Sequence, residues 1–262
     1  MFLAIDIGNS NIVIGLFENN KLSKEWRLIS DLNKNADDYA IDIIECFLTN
    51  KIDCIKIQGA IIASVVPKLS ETINLAIRKF LNEDAEILKI GDKKVKLNLE
   101  IKLNNKNEIG DDRLINAISG YKKFGGNLII IDLGTATTFD IIGKNGEYLG
   151  GLICPGINLS IKALSDACAK LPKINLKKQN SIIGKNTVEA INSGIYYGYI
   201  SLIEGLISKI ENELNIKTTR IITGGIANIF KDALQNSINH HETNLTLEGL
   251  KIVYLENIKT DI

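Results

Sequence analysis

The stretch LAIDIGNSNIVIGLFENNKL, residues 3–22, has a counterpart further on, IIIDLGTATTFDIIGKNGEYL, residues 129–149. Aligning Asp6 with Asp132 separates the two by 126 residues (132 − 6), close to half of the 262-residue chain. Each copy is an apolar, β-branched run that reaches Asp-x-Gly, crosses a small polar cluster and enters a second apolar run. A turn follows, Glu18-Asn19-Asn20 in one copy and Lys144-Asn145-Gly146 in the other; Asn-Gly between apolar runs signals a hairpin. A third run, Trp26–Ile29 or Gly150–Ile153, closes each copy. Self-similarity at this spacing predicts a duplicated α/β fold whose halves span residues 1–115 and 116–262.

The flanking sequence fits that frame. Helical spacing with acidic residues at the start predicts a helix over Asp37–Leu48. Lys56–Val66 reads as a buried strand stopped by Pro67, with an amphipathic helix over Leu69–Leu81. Further helices are expected over Asp112–Phe124, Ser160–Lys170, Thr187–Leu214 and Ala227–Leu234, and strands over Arg220–Thr223 and Lys251–Leu255. The polar segment 84–108 reads as a connecting loop.

Composition excludes several function classes. Lys and Arg total 31, as do Asp and Glu, so the formal charge is zero and nothing drives the chain toward nucleic acid or an anionic membrane. No uncharged stretch reaches the ~18 apolar residues of a spanning helix, and MFLAIDIGN lacks the pattern of a signal peptide, so a cytoplasmic location is expected. Cys46, Cys54, Cys154 and Cys168 show no CxxC spacing and read as small buried hydrophobes. The two histidines, His240 and His241, are adjacent in a polar stretch, so carboxylates and backbone amides must carry any chemistry. Arginine occurs only at 27, 78, 113 and 220, which draws attention to Arg113.

Three segments hold residues suited to phosphate chemistry. Asp6-Ile7-Gly8-Asn9-Ser10-Asn11 ends a buried strand in a tight turn, where Gly8 permits positive φ and turn amides can cradle phosphate while an acid holds Mg²⁺ through water. A hairpin whose Asp caps its own turn is the plainer alternative. Asp132-Leu133-Gly134-Thr135 repeats the arrangement, and two such turns could face each other across an interdomain cleft. Gly110-Asp111-Asp112-Arg113 opens a helix, offering a base and an anion-binding arginine, or simply an N-cap. Gly224-Gly225 suits either a strand-to-helix turn or close packing on a flat ligand, and Thr187 suits a helix cap. Neither GxxxxGK[ST] nor GxGxxG occurs.

Taken in order, DIGNSN (6–11), GDDR (110–113), DLGTATTFD (132–140), GGLICPGI (150–157), IGKNTVEAINSG (183–194) and TGG (223–225) resemble the type III pantothenate kinases, of the acetate-and-sugar-kinase, Hsp70 and actin superfamily. The resemblance implies duplicated ribonuclease H-like (actin-like ATPase) domains. It implies ATP-dependent phosphorylation of pantothenate to 4′-phosphopantothenate, the first step toward coenzyme A, with Mg²⁺ and a monovalent cation, potassium or ammonium. By the same resemblance Asp6, Ile7, Gly8, Asn9, Ser10 and Asn11 form the first phosphate loop, with Ser10 where Thr is usual. Asp112 is the catalytic base; Gly110, Asp111 and Arg113 flank the substrate; Asp132 ligates the monovalent cation; and Thr135 contacts ATP. Thr187 contacts pantothenate near a homodimer interface, for which helix 187–214 is the expected surface. Asp111 stands where the family has Ala, Leu103 where it has Tyr and Lys106 where it has Pro. Two rival expectations are another small-molecule kinase of the superfamily and a non-catalytic accessory protein.

Overall fold

The structure, a computed structural model, describes residues 1–105 and 108–258, so Lys106 lies outside the described residues. Strand β1 (Phe2–Ile7) runs into β2 (Asn11–Glu18) and β3 (Lys21–Ile29) as an antiparallel meander. Strands β4 (Gly59–Ser64) and β5 (Glu86–Lys89) join β1 in parallel, giving the order β3-β2-β1-β4-β5. The second sheet repeats this layout. Here β6 (Leu128–Leu133), β7 (Ala136–Ile142) and β8 (Tyr148–Pro155) form the meander, β9 (Thr219–Thr223) adds in parallel on β6, and β10 (His240–His241) adds in parallel on β9.

The repeat extends to register. Asp6 pairs with Val13 and Asp132 with Thr138, so the offset drops from 126 before the turn to 125 (138 − 13) after it; the second turn is one residue shorter. A bulge interrupts the second hairpin at the same place in each copy, between Leu16 and Phe17 and between Ile141 and Ile142. Bulges tend to persist as designed features. In the first copy the turn of this second hairpin is made by Asn19 and Asn20, both at positive φ, as a two-residue hairpin turn requires.

Helices cover the sheets. Asn35 and Asp38 form a capping box at α1 (Ala36–Thr49), and α2 (Pro67–Arg78) starts on Pro67, which needs no N–H there. Together they bury Ile43, Phe47, Leu69 and Ile73 against Leu3, Ile5 and Ile7, the odd-numbered face of β1. The even face, Phe2 and Ala4, meets Ile115 and Ile118 of α3 (Asp111–Phe124) and Leu250 and Val253 of α6 (Leu245–Asn257). In the second sheet, Ile129, Ile131 and Leu133 pack against α4 (Ile157–Ala167) and α5 (Thr187–Leu214) through Ile157, Tyr196 and Ile203. The chain thus forms two compact units. One holds residues 1–99, the described part of 105–119 and the described residues from Leu245 on; the other holds 100–104 and 120–244.

Four sequence expectations need correction. Lys251–Leu255 is helical, because Leu247, Leu250, Val253 and Tyr254 fall at helical spacing on a buried face. The helix expected over Ala227–Leu234 shrinks to a 3₁₀ turn, Ala227–Phe230. Segment 84–108 contains the edge strand Glu86–Lys89, whose inner residues Ile87 and Leu88 are buried. Cys46, Cys54 and Cys154 are only half-buried and Cys168 is exposed, all with free thiols. Among the described residues no helix is long and apolar enough to cross a membrane.

Candidate active site

The first unit gathers its chemistry at the carboxyl ends of β1 and β4, the edge where open α/β sheets bind ligands. Ile7 and Ser64 pair as the two strands finish, and Val65 continues the ladder by donating its N–H to Ile7 O at 3.1 Å. From the same edge the turn Gly8-Asn9-Ser10 projects, closed by Gly8 N–H on Asn11 O at 3.0 Å, with Asn9, Ser10 and Asn11 exposed. Gly8 is not at positive φ, so the freedom expected of it is not used. Asp6 lies by strand alternation on the face of Phe2 and Ala4, which α3 covers.

The GDDR segment is fastened to that edge. Asp111 Oδ2 accepts the Ser64 N–H at 3.1 Å, and a Cβ on Gly110 would lie 3.2 Å from Val65 Cγ1 and 2.7 Å from Asp112 Oδ1. Asp111 is thereby committed to the strand end instead of capping its own helix. Asp112 Oδ1 accepts the Arg113 N–H at 2.8 Å. Burial pushes the Asp112 carboxyl above its ordinary value, opposed by the N–H and charge of Arg113. Burial also raises Asp111, opposed by the Ser64 N–H and reinforced by the charge of Asp112. A buried carboxyl with a raised pKa is suited to accept a proton near neutral pH.

The second unit presents the matching turn. Gly134 N–H bonds Ala136 O at 3.0 Å, leaving Gly134 and Thr135 exposed. Two glycines pack against it. A Cβ on Gly156, which precedes α4, would sit 2.0 Å from Thr135 O and 2.7 Å from Gly134 O. Gly224, at φ +100°, would bring a Cβ to 2.6 Å of Asp132 Oδ1 and of the Leu133 backbone. Asp132 pairs with Thr223, one residue before it. Thr187 is the first residue of α5 and does not cap it; Asn186 does, accepting the Glu189 N–H at 3.0 Å while Glu189 Oε2 accepts the Lys185 N–H. Exposed Thr187 lines an open hollow of about 590 Å³ with Leu164, Leu171, Lys185 and Ile191.

The structure therefore brings Asp6, Ile7, Gly8, Asn9, Ser10, Asn11, Gly110, Asp111, Asp112 and Arg113 to one edge of the first unit. Asp132 and Thr135 hold the corresponding edge of the second, and Thr187 stands at a helix start in that unit. Sequence reasoning passed over Ser64 and the packing role of Gly156. A small residue at each strand end was the only available signal.

A family model described as type III pantothenate kinase matches residues 2–209. The chain belongs to the type III pantothenate kinases. It is 41% identical over 257 residues to the type III pantothenate kinase of Moorella thermoacetica, covering 98% of this chain and all of that one. The corresponding Brevibacillus brevis protein is 39% identical, covering 98% and 99%. Among solved structures, a putative 2-dehydro-3-deoxygalactonokinase from Sinorhizobium meliloti superposes with a TM-score of 0.62 at 10% identity, covering 98% of this chain and 96% of that one, a likeness of fold. The duplicated sheets are those of the ribonuclease H-like, actin-like ATPase fold. The activity is ATP-dependent phosphorylation of pantothenate in coenzyme A biosynthesis.

Proposed function

We propose that Asp112 is the base that takes the proton from the pantothenate hydroxyl while the Asp6–Asn11 and Asp132–Thr135 turns hold the phosphates of ATP. The observation that carries this reading is the Asp111–Ser64 hydrogen bond, which places Asp112 on the strand edge that carries the first turn. Phosphoryl transfer asks for alignment and charge neutralisation more than covalent chemistry, so a fixed spacing between base and phosphate loop is what the protein must supply. Asp112 orients the hydroxyl, and burial readies its carboxylate to accept the proton. Arg113 binds the anionic acceptor, and Gly110 leaves room beside the base. Thr187 adds a contact to pantothenate.

The donor set suits the expected cations. Among the described residues no three His, Cys, Asp or Glu side chains gather as a metal cage. Single carboxylates at strand ends match Mg²⁺, which prefers one or two carboxylates together with water and substrate phosphates. Asp6 would hold Mg²⁺ and Asp132 the monovalent cation, K⁺ or NH₄⁺; these ions neutralise phosphate charge. We further read the protein as a cytoplasmic homodimer joined through the α5 surface. The test is pantothenate-dependent ADP release with Mg²⁺, with and without K⁺. Activity should require both and collapse in Asp112→Asn. Wild-type turnover in Asp112→Asn would overturn the assignment of the base.

A further inference from the structure

We propose that Ser30, braced by Tyr39, is a positioning residue that aims the backbone amides of the Asn9–Asn11 turn at the nucleotide; the proposal rests on reading that turn as a phosphate loop. Ser30 directly follows β3 and makes two hydrogen bonds to the turn. Its hydroxyl donates to Gly8 O at 2.6 Å and its N–H donates to Ser10 O at 3.1 Å. In a planar trans peptide the N–H points away from the C=O, and the described chain has no cis peptide. Holding the carbonyls of Gly8 and Ser10 toward β3 therefore directs the N–H groups of Asn9 and Asn11 to the opposite side. An anion can approach a turn only where amides, not carbonyl oxygens, face it.

Ser30 is itself held. Tyr39 of α1 is fully buried, and its hydroxyl meets the chain on both sides of Ser30. It donates to Ile29 O at 3.2 Å or Asp31 O at 3.1 Å, and accepts the Asp31 N–H at 2.8 Å. A core side chain thus fixes a three-residue segment, and the middle residue of that segment fixes the turn.

The second copy meets the same requirement by another route. Ile29 pairs with Asn11 and Pro155 with Ala136, so Gly156 is the counterpart of Ser30. At Gly156 the backbone itself lies against Gly134 O and Thr135 O, where a Cβ would approach within 2.0 Å. Both turns have their carbonyls engaged from the end of the third strand, one by a hydroxyl and one by close packing.

Steady-state kinetics with MgATP tests this. Ser30→Ala should raise the KM for ATP about tenfold, the loss of one well-placed hydrogen bond, with kcat and the KM for pantothenate changed less than about twofold. Ser30→Thr, which keeps the hydroxyl, should restore the wild-type KM, and Tyr39→Phe should shift it in the same direction as Ser30→Ala by less. Ser30→Cys, of nearly the same shape but a weaker donor, should fall between and serves if Ser30→Ala does not fold. Asp6→Asn separates the two claims. An unchanged KM for ATP in Asp6→Asn would overturn the phosphate-loop reading and the proposal with it. A raised KM in Asp6→Asn beside an unchanged KM in Ser30→Ala or Ser30→Cys would overturn the role of Ser30 alone.

Discussion

Residues 30 and 156 occupy the same place in the two copies of the fold, yet one is serine and the other glycine. The first turn is the longer by a residue and is tied back by a side chain; the second is shorter and packs backbone on backbone. A similar divergence marks the strand beside each turn. β4 ends on Ser64, clasped by Asp111 next to Asp112; after β9 comes Gly224, pressed against Asp132. Duplication supplied two equivalent edges. One carries carboxylates that burial raises above their ordinary values, and the other carries glycines that let two segments of the chain come close.

The buried carboxylates sharpen the contrast. Asp111 and Asp112 are raised in the folded state, so the fold binds more protons there than the unfolded chain does. Their contribution to stability is present below the unfolded pKa and lost as pH rises through the folded value. Glu211 in the second unit runs the other way. Burial works to raise it, but Thr218 through its N–H and hydroxyl (3.0 and 2.8 Å), Lys217 and Arg220 together hold it below the ordinary value. Its stabilisation is present at neutral pH and lost as pH falls through that lowered value.

The largest expected effect is in Asp112→Asn, where kcat should fall about 10²–10⁴-fold while the KM for ATP changes little. The same variant should melt higher than wild type at pH 7, because a destabilised charge is gone; a lower melting temperature would mean that Asp112 is structural. In the wild type the acid limb of kcat/KM should lie above the ~3.9 of an ordinary Asp. Glu211→Ala should cost about 1–3 kcal/mol of stability by chemical denaturation, leaving Thr218 short of its acceptor, with both KM values unchanged in the folded enzyme. Gly156→Ala should cost about 1–3 kcal/mol by overpacking and also raise the KM for ATP, whereas Ser30→Ala should raise that KM with little change in melting. The smallest effect belongs to Gly134→Ala. A Cβ there meets only ordinary contacts at 3.5 Å and φ is not positive, so stability should hold within about 0.5 kcal/mol.

The repeat carried most of the architecture in the sequence, since Asp-x-Gly between two apolar runs fixes a strand, a turn and a strand within one local window. What failed to show depended on partners distant in the chain. Lys251–Leu255 is apolar enough for a strand, and only the open face of the first sheet, more than 150 residues away in sequence, makes it a helix. Ile87 and Leu88 form too short a run to stand out until β4 offers an edge. At the site, Asp112 and the two turns were legible as motifs. Ser30, Ser64 and Gly156 were not, because each works through a backbone group, the Gly8 carbonyl for Ser30, its own N–H for Ser64 and the Gly134 and Thr135 carbonyls for Gly156, and ordinary serines and glycines carry no pattern.

Helix α6 closes the first unit from the far end of the chain. Tyr254, its hydroxyl pushed up to about 12 by burial, stacks on Phe2 at 4.3 Å and lies over Gly59, where a Cβ would come within 2.3 Å of that hydroxyl. On the ribosome, then, the half that begins first is completed last. At about 5–20 residues per second, the face carrying Phe2, Phe17 and Leu88 waits on the order of ten seconds for its cover while the second half is being made. During that interval the nascent chain exposes an aromatic surface open to chaperones, and a lesion in α6 would be felt at β1 and the Asp6–Asn11 turn that follows it.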